Sequence, residues 1–397
     1  MKYTIIALVA SLVSGTASQA APKPLKVYIL AGQSNMQGHV NVSTFDSLAG
    51  DPKTVPILKE MRGADGKPRI CQKVWISSIG CAGDDTTEQK GLLTTGFGAS
   101  PAEIGPEFTF GIYMEKLLNE PILIIKTSWG GKSLHTDFRP PGSGPYVWSD
   151  FESNQYKDRA ADLEKDKAGR IKATGVAYRD MLAHVKKALG DIKRVVPEYD
   201  PKQGYELAGF VWFQGFNDLV SGWTYDKGNQ PGGYDLYAQL LAQFIRDVRK
   251  DLSVPKLPFV IGVIGIGGEK ADKKPGNMQY FRQAMAAPAA LPEFMGHVVA
   301  VPTAPFWDDE LEALQGRVDA CWPKVDATVA AEKNDSWENK MKHMAENFTP
   351  AEWKRLQTGT SNQAYHYLGA AKIMAPIGKA LAEAMVKAQE TRPQAKQ

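Results

Sequence analysis

Lys26-Val27-Tyr28-Ile29-Leu30-Ala31-Gly32-Gln33-Ser34-Asn35-Met36 decides how this chain is read. Its apolar, β-branched first half predicts a buried strand. The strand breaks at Gly32, and a serine follows two residues later. Open α/β folds bind ligands at the carboxyl edge of the sheet, so a serine on the turn leaving such a strand is placed to meet a substrate. A Gly-Ser-Asn turn with no chemistry looks the same from its own residues. The rest of the chain must choose.

Working outward, apolar runs predict further strands over 74–79, 121–126, 207–213, 259–266 and 297–301. Helical spacing of apolar residues marks 106–118, 173–189, 234–252, 278–285 and a C-terminal helix over 366–386, with a short helix near 56–61. Residues 91–105 read as glycine- and threonine-rich loop. Strands alternating with helices predict an α/β fold with a mostly parallel sheet covered on both faces.

The N-terminus has Lys2, an apolar run from Ile5 to Val13 and small residues closing on Ala20-Ala21. That order reads as a secretory signal peptide over 1–20, too short for a spanning helix. No cysteine stands near it to carry a lipid anchor. The expectation is an exported protein with no membrane anchor, one domain over 21–390 with long loops, and a polar tail over 391–397. A formal net charge of +3 supplies no basic stripe, which argues against nucleic-acid binding. Of three cysteines, Cys71 and Cys81 flank the 74–79 strand. A disulfide between them and two packed thiols are both open; Cys321 stays free either way.

Four distant residues, Ser34, Gly131, Asn217 and His366, supply the parts of an acyl-transfer site, and three of them follow predicted strands. Ester hydrolysis needs a nucleophile, a base and donors for the tetrahedral oxyanion. The segments resemble the SGNH (GDSL-like) hydrolase superfamily, in the carbohydrate acetylesterase branch that includes sialate O-acetylesterases and acetyl xylan esterases. The resemblance rests on Gly32 to Met36, on Gly130-Gly131-Lys132-Ser133, on Trp212-Phe213-Gln214 followed by Gly215-Phe216-Asn217-Asp218, and on Tyr365-His366-Tyr367-Leu368-Gly369. It implies a three-layer, flavodoxin-like α/β/α sandwich and an acetylated carbohydrate as substrate, such as sialic acid, xylan or another glycan. It also implies Ser34 as nucleophile, His366 as base, and the N–H groups of Ser34 and Gly131 with the Asn217 amide as oxyanion donors. Where the superfamily carries an aspartate three residues before the histidine, this chain has Gln363. A glutamine carbonyl can hold the imidazole tautomer but cannot balance imidazolium as a carboxylate does. Asp218, Asp308 and Asp309 are the alternative acids; otherwise the site is a Ser-His dyad.

Other motifs fail on spacing. Gly131-Lys132-Ser133 lacks the earlier glycine of a P-loop, where Lys126 stands, and Gly265-x-Gly267-Gly268 meets Lys270 instead of the last dinucleotide glycine. No Gly-x-Ser-x-Gly surrounds Ser34. His39, His135, His184, His297 and His343 lack metal-ligand spacing and read as ordinary loop or helix residues, so neither metal nor cofactor is expected. Loops 129–150 and 216–234 carry Trp129, Phe138, Arg139, Tyr146, Trp148, Phe216, Trp223 and Tyr225 and are candidate sugar-facing walls, with most of their rings expected in the core. Two rival readings are a carbohydrate-binding protein on the same fold without catalysis, favoured only by Gln363, and a lipid or aryl esterase.

Overall fold

Seven strands form one sheet in the computed structural model, which describes residues 23–81 and 85–390. The signal-peptide reading of 1–20 and the tail over 391–397 lie outside the described residues. The strands are β1 (Leu25–Gly32), β2 (Val74–Ile79), β3 (Gln89–Leu92), β4 (Ile122–Ser128), β5 (Tyr205–Phe213), β6 (Phe259–Val263) and β7 (Val298–Pro302). Their spatial order is β3-β2-β4-β1-β5-β6-β7. Only β3, at the edge, runs antiparallel to its neighbour. β1 is therefore central.

Helices cover both faces, and β5 shows how. Side chains alternate along a strand, so Phe210 and Trp212 pack on Phe244 of one helix layer while Phe213 packs on Tyr367 from the other side. The helices that matter here are α1 (Ser34–Gln37), α2 (Pro106–Leu118), α3 (Val176–Gly190), α4 (Asp235–Asp251, which carries Phe244) and α5 (Ala371–Glu390). α2 packs along α5 and sends Phe110 edge-on to Tyr28 of β1. The result is the expected α/β arrangement of a mostly parallel sheet between helical layers.

Several details differ from the sequence reading. α5 starts at Ala371, not at 366, because Tyr367, Leu368 and Gly369 all take left-handed φ angles (54°, 60° and 58°) that no helix accommodates. The predicted 173–189 helix is α3 from Val176, with a separate helix over Ala160–Ala173 before it. Residues 91–105 are not all loop: β3 enters them, and Glu103–Ile104 pairs with Val40–Asn41. Among the described residues no disulfide joins Cys71 and Cys81. Both are buried, and burial pushes the Cys71 thiol up to about 12, as suits an inert packed residue. The stretch left unread after β7 forms helices Asp309–Glu332, Trp337–Ala345 and Pro350–Gly359. These share a small core of their own built from Leu314, Val325, Val329, Met344, Phe348 and Leu356.

Beneath the carboxyl edge lies a fully buried ion pair. Lys126 of β4 donates to the Glu107 carboxylate and to the carbonyls of Gln37 and Phe97, each at 2.7 Å, and neither charged side chain is exposed. Removing one member of such a pair strands a charge in the interior. Lys126→Met is expected to lower the unfolding free energy by about 3–5 kcal/mol, read from urea unfolding at pH 7. A loss under about 1 kcal/mol, the level of an exposed pair, would mean that Lys126 does not hold these segments together.

Candidate active site

In the parallel register Gly32 stands beside Ser128 of β4 and Phe213 of β5, so three strands end level. The turns leaving them carry Ser34, Gly131 and Asn217. Gly32 has to be glycine: a Cβ there would lie 2.1 Å from the carbonyl oxygen of Phe213. The backbone then turns at once into α1, of which Ser34 is the first residue. Its N–H consequently has no acceptor within the helix. The Ser34 side chain is largely buried.

Gln33, not singled out from the sequence, organises the site. Its Oε1 accepts from the backbone N–H groups of Gly215 and Asn217, at 3.0 and 3.2 Å. A backbone N–H can only donate, so the amide's orientation is fixed. Gln33 Nε2 therefore faces Asn217, donating to its Oδ1 at 2.8 Å, and reaches Ser34 Oγ at 3.4 Å. With the Asn217 oxygen engaged, its NH₂ remains as the donor available to a substrate. Asp218 beside it is wholly buried and serves another end. It accepts from the backbone N–H groups of Leu134 and His135, from Gln214 and from the Tyr225 hydroxyl, which anchors the loop carrying Gly131. Gly131 itself is exposed and has open space around its Cα.

His366 sits on the left-handed turn before α5. Its Nδ1 lies 2.9 Å from Asn362 Oδ1, which also accepts from the Gln363 N–H at 2.8 Å. That second bond identifies the atom as oxygen, so Nδ1 carries the proton and Nε2 is the free base. The orienting group is thus Asn362, four residues before the histidine. Gln363 is exposed and meets His366 only through its backbone, where its carbonyl accepts the His366 N–H at 2.9 Å. The three candidate acids are engaged elsewhere. Asp308 caps helix Asp309–Glu332 and binds Arg355 and Lys372, Asp309 pairs with Lys270, and Asp218 holds the Gly131 loop. Burial, then the nearby His39, pushes His366 down to about 4.

His39 is not an ordinary loop residue. Its ring lies flat on that of His366, with centroids 3.9 Å apart and planes 3° from parallel. The other histidines lie elsewhere. His135 packs by Tyr146 and Tyr225, His184 lies 3.0 Å from Ser77 Oγ, His297 meets backbone carbonyls, and His343 pairs with Glu332 and Glu346. Among the described residues no group of three or more His, Cys, Asp or Glu side chains is placed to hold a metal ion.

Most candidate wall residues are structural. Trp129, Phe138, Tyr146 and Tyr225 are buried, and Arg139 donates to the carbonyls of His135, Ser143 and Gly144. Trp148 is half-buried against Tyr146 and Tyr156, Trp223 is exposed and meets Tyr156 edge-on, and Phe216 is half-buried. Phe216 stacks on the exposed Tyr365, and Tyr365 stands edge-on to His366, which puts two rings at the rim beside the candidate base. A cleft of about 1300 Å³ lies apart from these groups, between Asp46–Ile57, helix Pro350–Gly359 and α5.

The family model for carbohydrate esterases, sialic acid-specific acetylesterase, matches residues 24–302. That stretch contains Ser34, Gly131 and Asn217 and ends before His366. No curated protein matches. Three solved structures are similar. A protein from Arabidopsis thaliana is 17% identical, with a TM-score of 0.39, covering 70% of this chain and 86% of that one. A carbohydrate acetylesterase from Xanthomonas citri is 14% identical (TM-score 0.38; 71% of this chain, 50% of that one), and NanS is 15% identical (TM-score 0.39; 71% and 78%).

The Asn362 contact gives a two-sided test. Asn362→Leu removes the acceptor for Nδ1–H and is expected to lower kcat for ester hydrolysis, by up to about 10⁴, the loss on disabling a triad acid. Asn362→Asp sets a carboxylate against the same N–H, which favours imidazolium and raises the His366 pKa. Its acid limb should therefore move to higher pH in a pH–rate profile. Wild-type kcat in the leucine variant would rule out an orienting role.

Proposed function

We propose, since the chain belongs to the carbohydrate esterase family of sialic acid-specific acetylesterases, that this carboxylic ester hydrolase removes O-acetyl groups from a glycan through an acetyl-Ser34 intermediate. The observation that carries the proposal is a pair of fixed polarities: the Asn217 oxygen is taken by Gln33, which leaves its NH₂ as a donor, and His366 Nδ1 is held on Asn362, which leaves Nε2 unprotonated. Ser34 Oγ attacks the acetyl carbonyl while His366 Nε2 takes its proton. The carbonyl oxygen becomes an oxyanion, held by the N–H groups of Ser34 and Gly131 and by Asn217 Nδ2. Collapse breaks the bond to the sugar oxygen, which receives the proton from His366. Water then enters as the second nucleophile, gives its proton to His366, and releases acetate as Ser34 recovers its hydrogen.

The Phe216–Tyr365 pair beside His366 suits the apolar face of a pyranose ring better than a long acyl chain, which favours a sugar ester over a lipid. The acetylated sugar is sialic acid, a xylan unit or another glycan. Export is also part of the proposal; it rests on the residue pattern of 1–21. No described helix is long and apolar enough to cross a membrane.

Acetate release from a panel of acetylated glycans (sialic acid, xylan, pectin) tests the activity and selects the sugar. Ser34→Ala is expected to abolish release and labelling by a fluorophosphonate probe while leaving the fold intact, since a turn serine adds little packing. Asn217→Ala should lower kcat by about 10²–10³ with a smaller change in KM. A loss confined to KM would move Asn217 to substrate binding. The pH profile follows from His366, which works only when neutral. Its pKa is pushed to about 4, so kcat should hold as pH falls past the usual imidazole value and decline near pH 4. An acid limb at pH 6–7 would show a base of ordinary proton affinity.

A further inference from the structure

We propose that His39 is a positioning residue: it carries His366 on the face of its own ring and offers the imidazolium a neutral aromatic surface where no described carboxylate pairs with it. The inference rests on the reading of His366 as the base. The first observation is the stack itself, at 3.9 Å and 3°. The second is where His39 comes from. It directly follows Gly38, the residue that ends the nucleophile's helix, so one short segment delivers both Ser34 and the surface under the base. Gly38 is fixed in turn by φ +95° and by Gly105, whose backbone nitrogen a Cβ would meet at 2.2 Å. The stack is therefore built on a segment with little freedom to move. The third is that His39 Nε2 is buried with no hydrogen-bond partner, so the ring is not held by a bond of its own on that side.

The groups facing the two rings explain why the pair can share one charge but not two. The charge of Lys126, itself paired with Glu107, acts on His39, while Asn362 and the ring of Tyr365 meet His366. Burial, then the Lys126 charge, pushes His39 down to about 4, so it stays neutral at working pH. When the Ser34 Oγ–H proton moves to His366 Nε2, one ring becomes cationic and lies on the π face of the other, an arrangement that attracts a cation. His39 neither gains nor loses a proton. The parallel contact also restrains ring rotation, keeping Nδ1 on Asn362. At acid pH the two rings titrate as a coupled pair, each disfavouring the other's charge.

The test compares His39→Ala and His39→Phe with wild type and Ser34→Ala, using p-nitrophenyl acetate and the best glycan from the panel. His39→Ala removes the surface and is expected to lower kcat on the order of 10², as for a misplaced catalytic group, with KM little changed. His39→Phe restores an aromatic face and should recover most of that loss. Because it removes the titrating ring stacked on His366, it should also move the acid limb to higher pH. Wild-type kcat in His39→Ala would overturn the proposal. So would His39→Phe being as impaired as His39→Ala, which would assign the effect to the ring nitrogens rather than the face. Circular dichroism checks folding, and if the alanine variant does not fold, His39→Leu, which keeps bulk without an aromatic face, takes its place: wild-type kcat in it overturns the proposal. Activity surviving in Ser34→Ala would instead sink the esterase assignment on which this one rests.

Discussion

The Lys126 ammonium group, enclosed between the last carbonyl of α1, the carbonyl of Phe97 and the Glu107 carboxylate, is the contact on which the carboxyl edge of the sheet depends. Lysine has three N–H donors, and all three are used, so the buried charge has no unmet hydrogen bond. Each acceptor belongs to a different segment: the nucleophile turn, the 91–105 region and α2. Lys126 stands beside Leu30 in the register of the sheet, so this fastening is made at the strand that precedes Ser34. The same charge disfavours a proton on His39. One side chain thus fixes the backbone under Ser34 and adds to the burial that lowers the proton affinity of the ring stacked on His366.

Above that fastening, polarity is passed through side-chain amides. Backbone N–H groups fix Gln33, Gln33 fixes Asn217, and the Gln363 N–H fixes Asn362, which fixes His366. Amides carry no charge and do not titrate, so these orientations persist across a wide pH range. The cost is that, among the described residues, no carboxylate is paired with the His366 ring. Asp218, the nearest carboxylate in sequence to Asn217, is spent on shaping the Gly131 loop.

The strands and the turn that carries Ser34 were legible because their signals are local: an apolar run, a glycine with no room for a side chain, a serine two residues on. α2 was legible to the residue for the same reason, since Pro106 opens it and its apolar spacing is unbroken. Asn362 and His39 were not legible. Spacing pointed to Gln363, but the left-handed turn at Tyr367 and Leu368 directs the ring back to the residue before it. The stack joins positions more than 300 residues apart, and nothing local encodes it. Lys126 was visible as part of a strand, and its partners were not. The helices after β7 escaped because Asp309–Glu332 buries only Leu311, Leu314, Val325 and Val329 and contains Pro323, which blurs the helical period.

Those three helices stand between the last strand and the turn that presents His366. Their two ends meet: Leu311 near the entry touches Gly359 at the exit, and Asp308 binds Arg355. Past the exit, Ser361 is fastened to Asn41 and Gly369 independently of the helices. A segment whose ends adjoin and whose core is largely its own can change length with little strain on what flanks it. The histidine turn therefore does not depend on these helices for its moorings, which leaves their outer surface free of its constraints.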